Sequence, residues 1–331
     1  MKISYSVVIR TLGNTGEKYK MLLSAINSQT IQPEEIIVVI PKGRILDYQL
    51  GNERVIYSSK GMVIQRAVGI AEAKSEYILV CDDDLYFSPT MVEELYQYLQ
   101  LNKLDCCLPL EGMECEKESK YIDLQYPFFT RLSRGITGQM LISYRKSKYL
   151  DVLTYTAGHK VYVNSNCLDE CYLCTTACFQ CFFIKTSMAQ AAHYEEETWL
   201  QEGTLTSYAA FDEPVFFSKL NRLGLRMAYA LRTRYKHLDA AVGRKTSNPI
   251  EAKQIRYFSM ARNRTIYWYK YIYSPAKGIW KKCCAILGGV YGLTNYALWT
   301  IVINLRPKHY KALPALFKGY REAFLYICQN R

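Results

Sequence analysis

The apolar run Tyr77-Ile-Leu-Val-Cys81 ends on three consecutive carboxylates, Asp82, Asp83 and Asp84. An uninterrupted apolar run of this length, closed by acids, predicts a strand buried on both faces, and such strands occur in sheets covered by helices. The flanking sequence agrees. Tyr5 to Ile9 predicts a first strand, Tyr19 to Gln29 carries Leu22, Ala25 and Ile26 at helical spacing, and Ile36 to Ile40 is a second apolar run stopped by Pro41 and Gly43. A third strand around Val55 to Tyr57 leads to a helix through Arg66 to Ala73. After the acids, Ser88 and Pro89 open a helix with Val92, Leu95, Tyr96 and Leu99 on one face. The expectation is an α/β fold with alternating strands and helices. From about residue 105 to 210 the pattern is irregular. A helix resumes after Pro214, with Phe216, Leu220 and Leu223 on one side and Gly224 as its stop. Beyond about 250 the chain is basic, aromatic and helix-favouring.

The formal charge is +12 over 331 residues, a value that invites nucleic acid as a partner until its location is counted. Residues 251–331 hold fourteen Lys and Arg against two Asp and Glu, which leaves 28 of each in the first 250. An electroneutral body with a basic appendage points to an anionic membrane surface and away from nucleic acid. No signal-peptide pattern precedes the first strand, so the expected location is cytoplasmic, peripheral to the inner face of the cell membrane. Twelve cysteines in an unsecreted chain are expected to be reduced thiols. Among them Cys167, Cys171, Cys174, Cys178 and Cys181 admit three readings: a thiolate metal or iron–sulfur site, one face of a helix, or part of an apolar strand within Tyr172 to Ile184.

Ligands of open α/β sheets bind beyond the carboxyl ends of the strands, which is where Asp82 to Asp84 stand. Alternation along the chain can aim Asp82 and Asp84 at one centre, and hard carboxylate oxygens suit Mg²⁺ or Mn²⁺ bridging a diphosphate. The plainer alternative is a solvated acidic turn ahead of the next helix. A second acidic pair, Asp212-Glu213, opens the helix that runs to Gly224. These acids either complement the helix dipole or supply the carboxylate that deprotonates an attacking hydroxyl.

In order and spacing these segments resemble the family 2 glycosyltransferases of the GT-A fold. Ser6-Val-Val-Ile-Arg-Thr11, Leu23-Ser-Ala-Ile-Asn-Ser-Gln-Thr30 and Pro33-Glu-Glu-Ile-Ile-Val-Val39 look like that family's nucleotide-binding start, and Gln65-Arg66-Ala-Val-Gly69-Ile is similar to its Arg-Asn-x-Gly helix. The acidic pair precedes Gly224 by the family's interval, which puts Glu213 on the base position. The resemblance covers residues 4 to 240 and also Arg262-Asn263. Two positions depart from it: Pro41-Lys42 stands where many members place an acid near the nucleoside, and the acidic pair reads Asp-Glu instead of Glu-Asp, which keeps Asp212 in play as the base.

The resemblance implies an inverting transferase. Asp82 and Asp84 would hold the metal on the diphosphate of a nucleotide-sugar donor, and Arg66 would help neutralise the leaving group. Arg10, Thr11 and Asp83 would line the nucleotide, and Glu213 would take the acceptor proton. His237, in Tyr235-Lys-His-Leu, falls where some members place a further metal or phosphate ligand, with a routine structural histidine as the alternative. The irregular stretch from 105 to 210 would be an acceptor-specific insert, and the acceptor a lipid-linked or other glycan in surface-polysaccharide or glycolipid assembly. A nucleotidyltransferase on the same fold and a catalytically silent nucleotide-sugar-binding protein are the alternatives.

Ala285 to Leu305 is an uncharged stretch of 21 residues, long enough to cross a bilayer. Spanning would carry the basic segment from Arg306 to Arg331 outward, against the positive-inside tendency, so interfacial or hairpin-like attachment is expected. Tyr257 to Tyr273 would then lie at headgroup level. The alternative is a soluble helical cap. The expected organisation is a GT-A catalytic domain over 1–245 and a basic, aromatic, helical membrane-associating region over 250–331.

Overall fold

The computed structural model describes residues 3–112, 127–163, 171–177, 180–204, 208–238, 248–305 and 310–330. In chain order the elements are β1 (Tyr5–Arg10), α1 (Glu17–Asn27), β2 (Glu35–Pro41), β3 (Glu53–Ser58), α2 (Met62–Glu72), β4 (Tyr77–Asp82), β5 (Leu85–Phe87), α3 (Met91–Leu101) and β6 (Cys106–Glu111). Then come α4 (Phe128–Ile136), β7 (Met140–Ser143), β8 (Tyr149–Leu153), β9 (His159–Tyr162), β10 (Cys171–Cys174), β11 (Cys181–Lys185), α5 (Thr186–Ala191), α6 (Asp212–Arg222) and β12 (Met227–His237). The C-terminal part contains α7 (Pro249–Tyr267), a π-helical turn over Trp268–Tyr273, α8 (Ile279–Ile303) and α9 (Leu313–Gln329).

The chain divides into two compact units that interleave along the sequence. The first comprises Met1–Glu118, Asn166–Thr198 and Phe216–Gly243, the second Ser119–Ser165, Trp199–Val215 and Arg244–Arg331.

The first unit is built on a mixed sheet of order β3-β2-β1-β4-β11-β6-β12-β10, with β5 paired to β12. Strands β3, β2, β1 and β4 run parallel, whereas β11 is antiparallel to both β4 and β6. All three helices expected from the first hundred residues are present in order. Helix α1 buries Tyr19, Leu22, Leu23, Ala25 and Ile26 on one face, with Glu17 in its first turn where the helix dipole favours an acid. Leu22, Leu23 and Ile26 join Val92, Leu95 and Leu99 of α3 and the inward residues Val7, Ile9, Val38 and Leu79 in one apolar core. On the other face α2 approaches β1 at Gly69, where a Cβ would sit 2.4 Å from Val8 Cγ1.

Two expectations need correction here. The stretch from 105 to 210 is not an irregular insert: it supplies β6, β10 and β11 to the first unit's sheet. The reading of the Cys167 to Cys181 spacing as one helix face does not hold either, because Cys171 and Cys174 lie on β10 and Cys181 on β11. Phe182, Phe183 and Ile184 are buried on both sides of the sheet, so β11 shows no alternation to distinguish it from a buried helix. Cys167 and Cys178 lie outside the described residues, among which no cluster of three or more His, Cys, Asp or Glu could hold a metal ion.

In the second unit β9 pairs antiparallel with β8 and parallel with β7. Asn248 caps α7, its Oδ1 accepting from Ile250 N at 3.0 Å, and Pro249 occupies the first turn. Tyr257, Ala261, Tyr296, Ala312 and Leu316 form a core among α7, α8 and the segment entering α9. The expectation that Tyr257 to Tyr273 lies at headgroup level fails. Ser259, Asn263, Arg264, Ile266 and Tyr267 are fully buried in this unit, because the aromatic and polar residues there pack inward and bond to neighbouring loops.

Candidate active site

Strand β4 is buried along its whole length and delivers its acids to the carboxyl edge of the parallel sheet. The parallel register places Arg10, the last residue of β1, opposite Asp82. Arg10 Nη2 lies 3.0 Å from Asp82 Oδ1, and Arg66 Nη2 of α2 reaches the same oxygen at 2.9 Å. Arg66 is only 2% exposed and stands one turn before Gly69. The close helix–strand approach at that glycine therefore carries the guanidinium to the end of β4. Gln65, also buried, donates through Nε2 to Thr11 O at 2.9 Å and to Val39 O at 3.0 Å, tying the ends of β1 and β2 together.

Asp83 has other partners. Its Oδ2 accepts from the hydroxyls of Thr11 and Thr15, each at 2.5 Å. Burial raises its pKa, opposed by those two hydrogen bonds and by the charge of Arg10. The loop from Thr11 to Gly16 needs glycine at Gly13, where φ is +81° and a Cβ would meet Ile45 O at 2.4 Å.

Asp84 meets His237. The C-terminal end of β12 pairs with β5, with His237 opposite Leu85, and Leu238 N donates to Asp84 O at 2.7 Å. This bridge puts His237 Nε2 3.2 Å from Asp84 Oδ1. Neighbouring ligands of a six-coordinate Mg²⁺ or Mn²⁺ at about 2.1–2.2 Å are roughly 3 Å apart, so this oxygen and nitrogen fit as two adjacent ligands of one ion. Asp82 fits less directly, since its Oδ1 already receives two guanidinium groups. The structure brings Arg10, Arg66, Asp82, Asp83, Asp84 and His237 together at one sheet edge, and the sequence did not anticipate that Asp82 faces arginines there while Asp84 faces the histidine.

Asp212 and Glu213 belong to the second unit. Phe211, just ahead of them, has φ +72°, a left-handed conformation that a bulky residue adopts only under constraint. Its ring packs on Tyr267 with centroids 5.5 Å apart. Asn263, fully buried, donates through Nδ2 to Leu200 O at 2.7 Å and to Ala210 O at 2.9 Å. Arg262 Nη1 donates to Trp199 O at 2.7 Å and to Asn263 Oδ1 at 2.9 Å. The pair Arg262-Asn263 thus clasps both ends of the segment that leads into α6. Asp212 is 6% exposed, whereas Glu213 is half-buried and so the more accessible of the two. In the same unit His159 Nδ1 lies 2.8 Å from Asp151 Oδ2, and the charge of Glu213 is felt at that imidazole. Thr15, Asn263 and the Asp151–His159 pair escaped the sequence reading in these roles, for no spacing motif marks a hydroxyl or amide that acts on distant backbone.

Residues 6–142 match the sequence model of Glycosyl transferase family 2. Over 86 residues, 24% of this chain, the sequence is 31% identical to the uncharacterized glycosyltransferase YwdF of Bacillus subtilis (strain 168), and the match spans 32% of that protein. The chain therefore matches about a third of the length of this curated relative. Among solved structures, TarS 1–349 of S. aureus is 13% identical with a TM-score of 0.43, over 99% of this chain and 92% of that one. GalNAc-T7, crystallised with UDP, GalNAc and Mn²⁺, is 12% identical with a TM-score of 0.48, over 83% of this chain and 50% of that one. Likeness of that degree leaves the match over residues 6–142, the part of the chain that bears the parallel strands and the acidic edge, and there the sequence resembles glycosyl transferase family 2.

Proposed function

We propose that the protein transfers a sugar, with inversion, from a nucleotide-diphosphate sugar to a hydroxyl of a membrane-held, lipid-linked or other glycan acceptor. The observation that carries this reading is the edge of β4, where two arginines converge on Asp82 and an Asp84–His237 pair stands beside them. Asp84 and His237 would hold Mg²⁺ or Mn²⁺, whose chemistry there is to neutralise charge on the diphosphate. Arg10 and Arg66 present fixed positive charge to the leaving diphosphate from groups that need no reorganisation. Thr11 and Asp83 line the nucleotide. Glu213 of the second unit takes the acceptor proton as the acceptor oxygen bonds to the anomeric carbon, and the electron pair of the breaking carbon–oxygen bond leaves on the diphosphate. A single displacement of this kind inverts the anomeric centre.

The proposed division of labour is a catalytic part within residues 1–245 and a membrane-associating part within 250–331, at the inner face of the membrane. The neutral body and basic tail support that location over a nucleic-acid partner.

Purified full-length protein incubated with Mn²⁺ and a panel of nucleotide-sugars tests the reading. Slow release of free sugar and nucleoside diphosphate supports the transferase. Pyrophosphate release would indicate a nucleotidyltransferase, and binding without turnover a silent binding protein.

A further inference from the structure

We propose that the outward face of α8 docks on an anionic lipid bilayer and lies in its plane without crossing it. This deepens the reading of a membrane-held acceptor and rests on it for its purpose, since an in-plane face would hold the enzyme where such an acceptor lies.

Length does not decide between lying and spanning. At about 1.5 Å per residue, the 25 residues of α8 measure roughly 37 Å, enough for a hydrocarbon core of about 30 Å. The inner face of the helix decides it. Ala285, Gly289, Gly292, Tyr296 and Thr300 are buried along one side. A Cβ on Gly288 would fall 2.5 Å from Tyr155 Cβ, one on Gly292 2.3 Å from Thr156 O, and one on Gly289 2.4 Å from the Trp268 ring. The helix is therefore seated on the turn between β8 and β9. That turn is irregular backbone held by polar contacts, with Arg264 Nη2 donating to Thr156 O at 2.8 Å and to Thr137 O at 2.9 Å. Irregular polar backbone does not enter hydrocarbon exposed to lipid, so α8 cannot cross a bilayer while it stays seated there.

The outer face has the opposite character. Leu287 and Leu298 are 70% and 59% exposed, and Val290, Val302 and Ile303 are exposed beside them. No charged residue occurs from Cys283 to Leu305. At its N-terminal end this face is bordered by exposed Ile279 and Trp280 and by Lys277, Lys281 and Lys282. In sequence Arg306 and Lys308 follow at the other end. An exposed apolar strip with basic and aromatic residues at its N-terminal border matches an interfacial helix whose apolar side enters about 5–10 Å into the lipid. A second copy of the chain would bring a further segment of the same strong positive charge against this one, whereas an anionic surface is attracted to it. All of the protein's net charge of +12 lies in residues 251–331.

The test is flotation of full-length protein with phosphatidylcholine vesicles, with and without phosphatidylglycerol, alongside donor hydrolysis. The wild type should float with the anionic vesicles and be released by alkaline carbonate. Leu287→Glu/Leu298→Glu should abolish flotation. Lys281→Gln/Lys282→Gln should weaken partition roughly thirtyfold at low salt, two charges at about 1 kcal/mol each. Both pairs are exposed, and both double variants should keep the wild-type melting temperature and donor hydrolysis. Undiminished flotation of the leucine variant would overturn the proposal. So would resistance to carbonate, which would mean a span, or lipid-free self-association abolished by the same substitutions, which would mean a contact between copies. Wild-type protein that floats as expected yet never hydrolyses any donor would refute the transferase reading and leave the docking face standing.

Discussion

His237 Nε2 stands 3.2 Å from Asp84 Oδ1 because the last residues of β12 pair with the short β5 that follows the acidic turn. Two groups far apart in sequence are thus set at the separation of neighbouring metal ligands. Replacing Asp84 by Asn removes the anionic member of the pair. Nucleoside-diphosphate binding in the presence of Mn²⁺ should weaken by at least about tenfold, as should binding by His237→Ala, while binding without metal changes little. Calorimetry with and without Mn²⁺ checks this, and unchanged metal-dependent binding in Asp84→Asn would exclude the assignment.

Gly69→Ala places a methyl carbon 2.4 Å from Val8 Cγ1. Overpacking of this kind costs about 1–3 kcal/mol, and here the helix that must shift is the one that carries Arg66 to Asp82. Urea unfolding should register the loss, with weaker donor binding beside it. Adding Val8→Ala makes room and should restore part of both. A double variant no better than Gly69→Ala would show that the close approach does not set the position of Arg66.

The first hundred residues were legible because each strand and helix there has its own periodic pattern and the acids fall at a strand end. What sequence did not disclose depends on pairings across long separations. Phe182 to Ile184 carry no alternation and could not be distinguished from a buried helix, so the place of β11 between β4 and β6 was hidden. Tyr257 to Tyr273 reads as an interfacial aromatic belt, yet Arg264 and Asn263 turn inward to bond backbone carbonyls that only the fold brings within reach. The partition of the three aspartates, one toward arginines, one toward threonines and one toward histidine, follows from register and from β12, which no local pattern reveals.

His159 offers a pH test of the second unit. Burial alone would lower its pKa, but the charge and hydrogen bond of Asp151, helped by Glu213, outweigh burial and the opposing charge of Arg134, and the value lies above 6.5. The folded unit therefore keeps a proton that the unfolded chain releases more readily. Stabilisation is complete below about 6.5 and is lost as pH rises through the folded-state value. The melting temperature should fall over that rise in the wild type and change less in Asp151→Asn. An identical pH dependence in the two proteins would show that this pair does not contribute.

Asn263 ties Leu200 and Ala210 to α7 from a fully buried position. Asn263→Ala leaves two carbonyls without their donor at about 1–3 kcal/mol each. It should also lower turnover more than donor affinity, because the strained Phe211 and Glu213 follow directly on the released segment. Comparing kcat with donor binding in Asn263→Ala and Asn263→Asp separates positioning from general destabilisation. A stability loss with unchanged kcat would assign Asn263 a purely structural role.

Glu213 and Asp212 compete for the role of base, and their surroundings differ. Asp212 is 6% exposed at the start of α6, whereas Glu213 is half-buried, open enough to meet an incoming hydroxyl. Glu213→Gln keeps the shape of the side chain but cannot accept a proton. Transfer should therefore fall by about two to four orders of magnitude, the usual contribution of a positioned general base, with donor affinity little changed. Asp212→Asn should act mainly on stability, through loss of an acid from a buried helix start. Acceptor-dependent turnover, donor binding and thermal melting of both variants decide the matter. If Glu213→Gln turns over normally while Asp212→Asn is folded, binds donor and is inactive, the roles exchange, and the reversed order of the pair carries no functional meaning. If both variants stay active, neither acid of this helix start takes the acceptor proton.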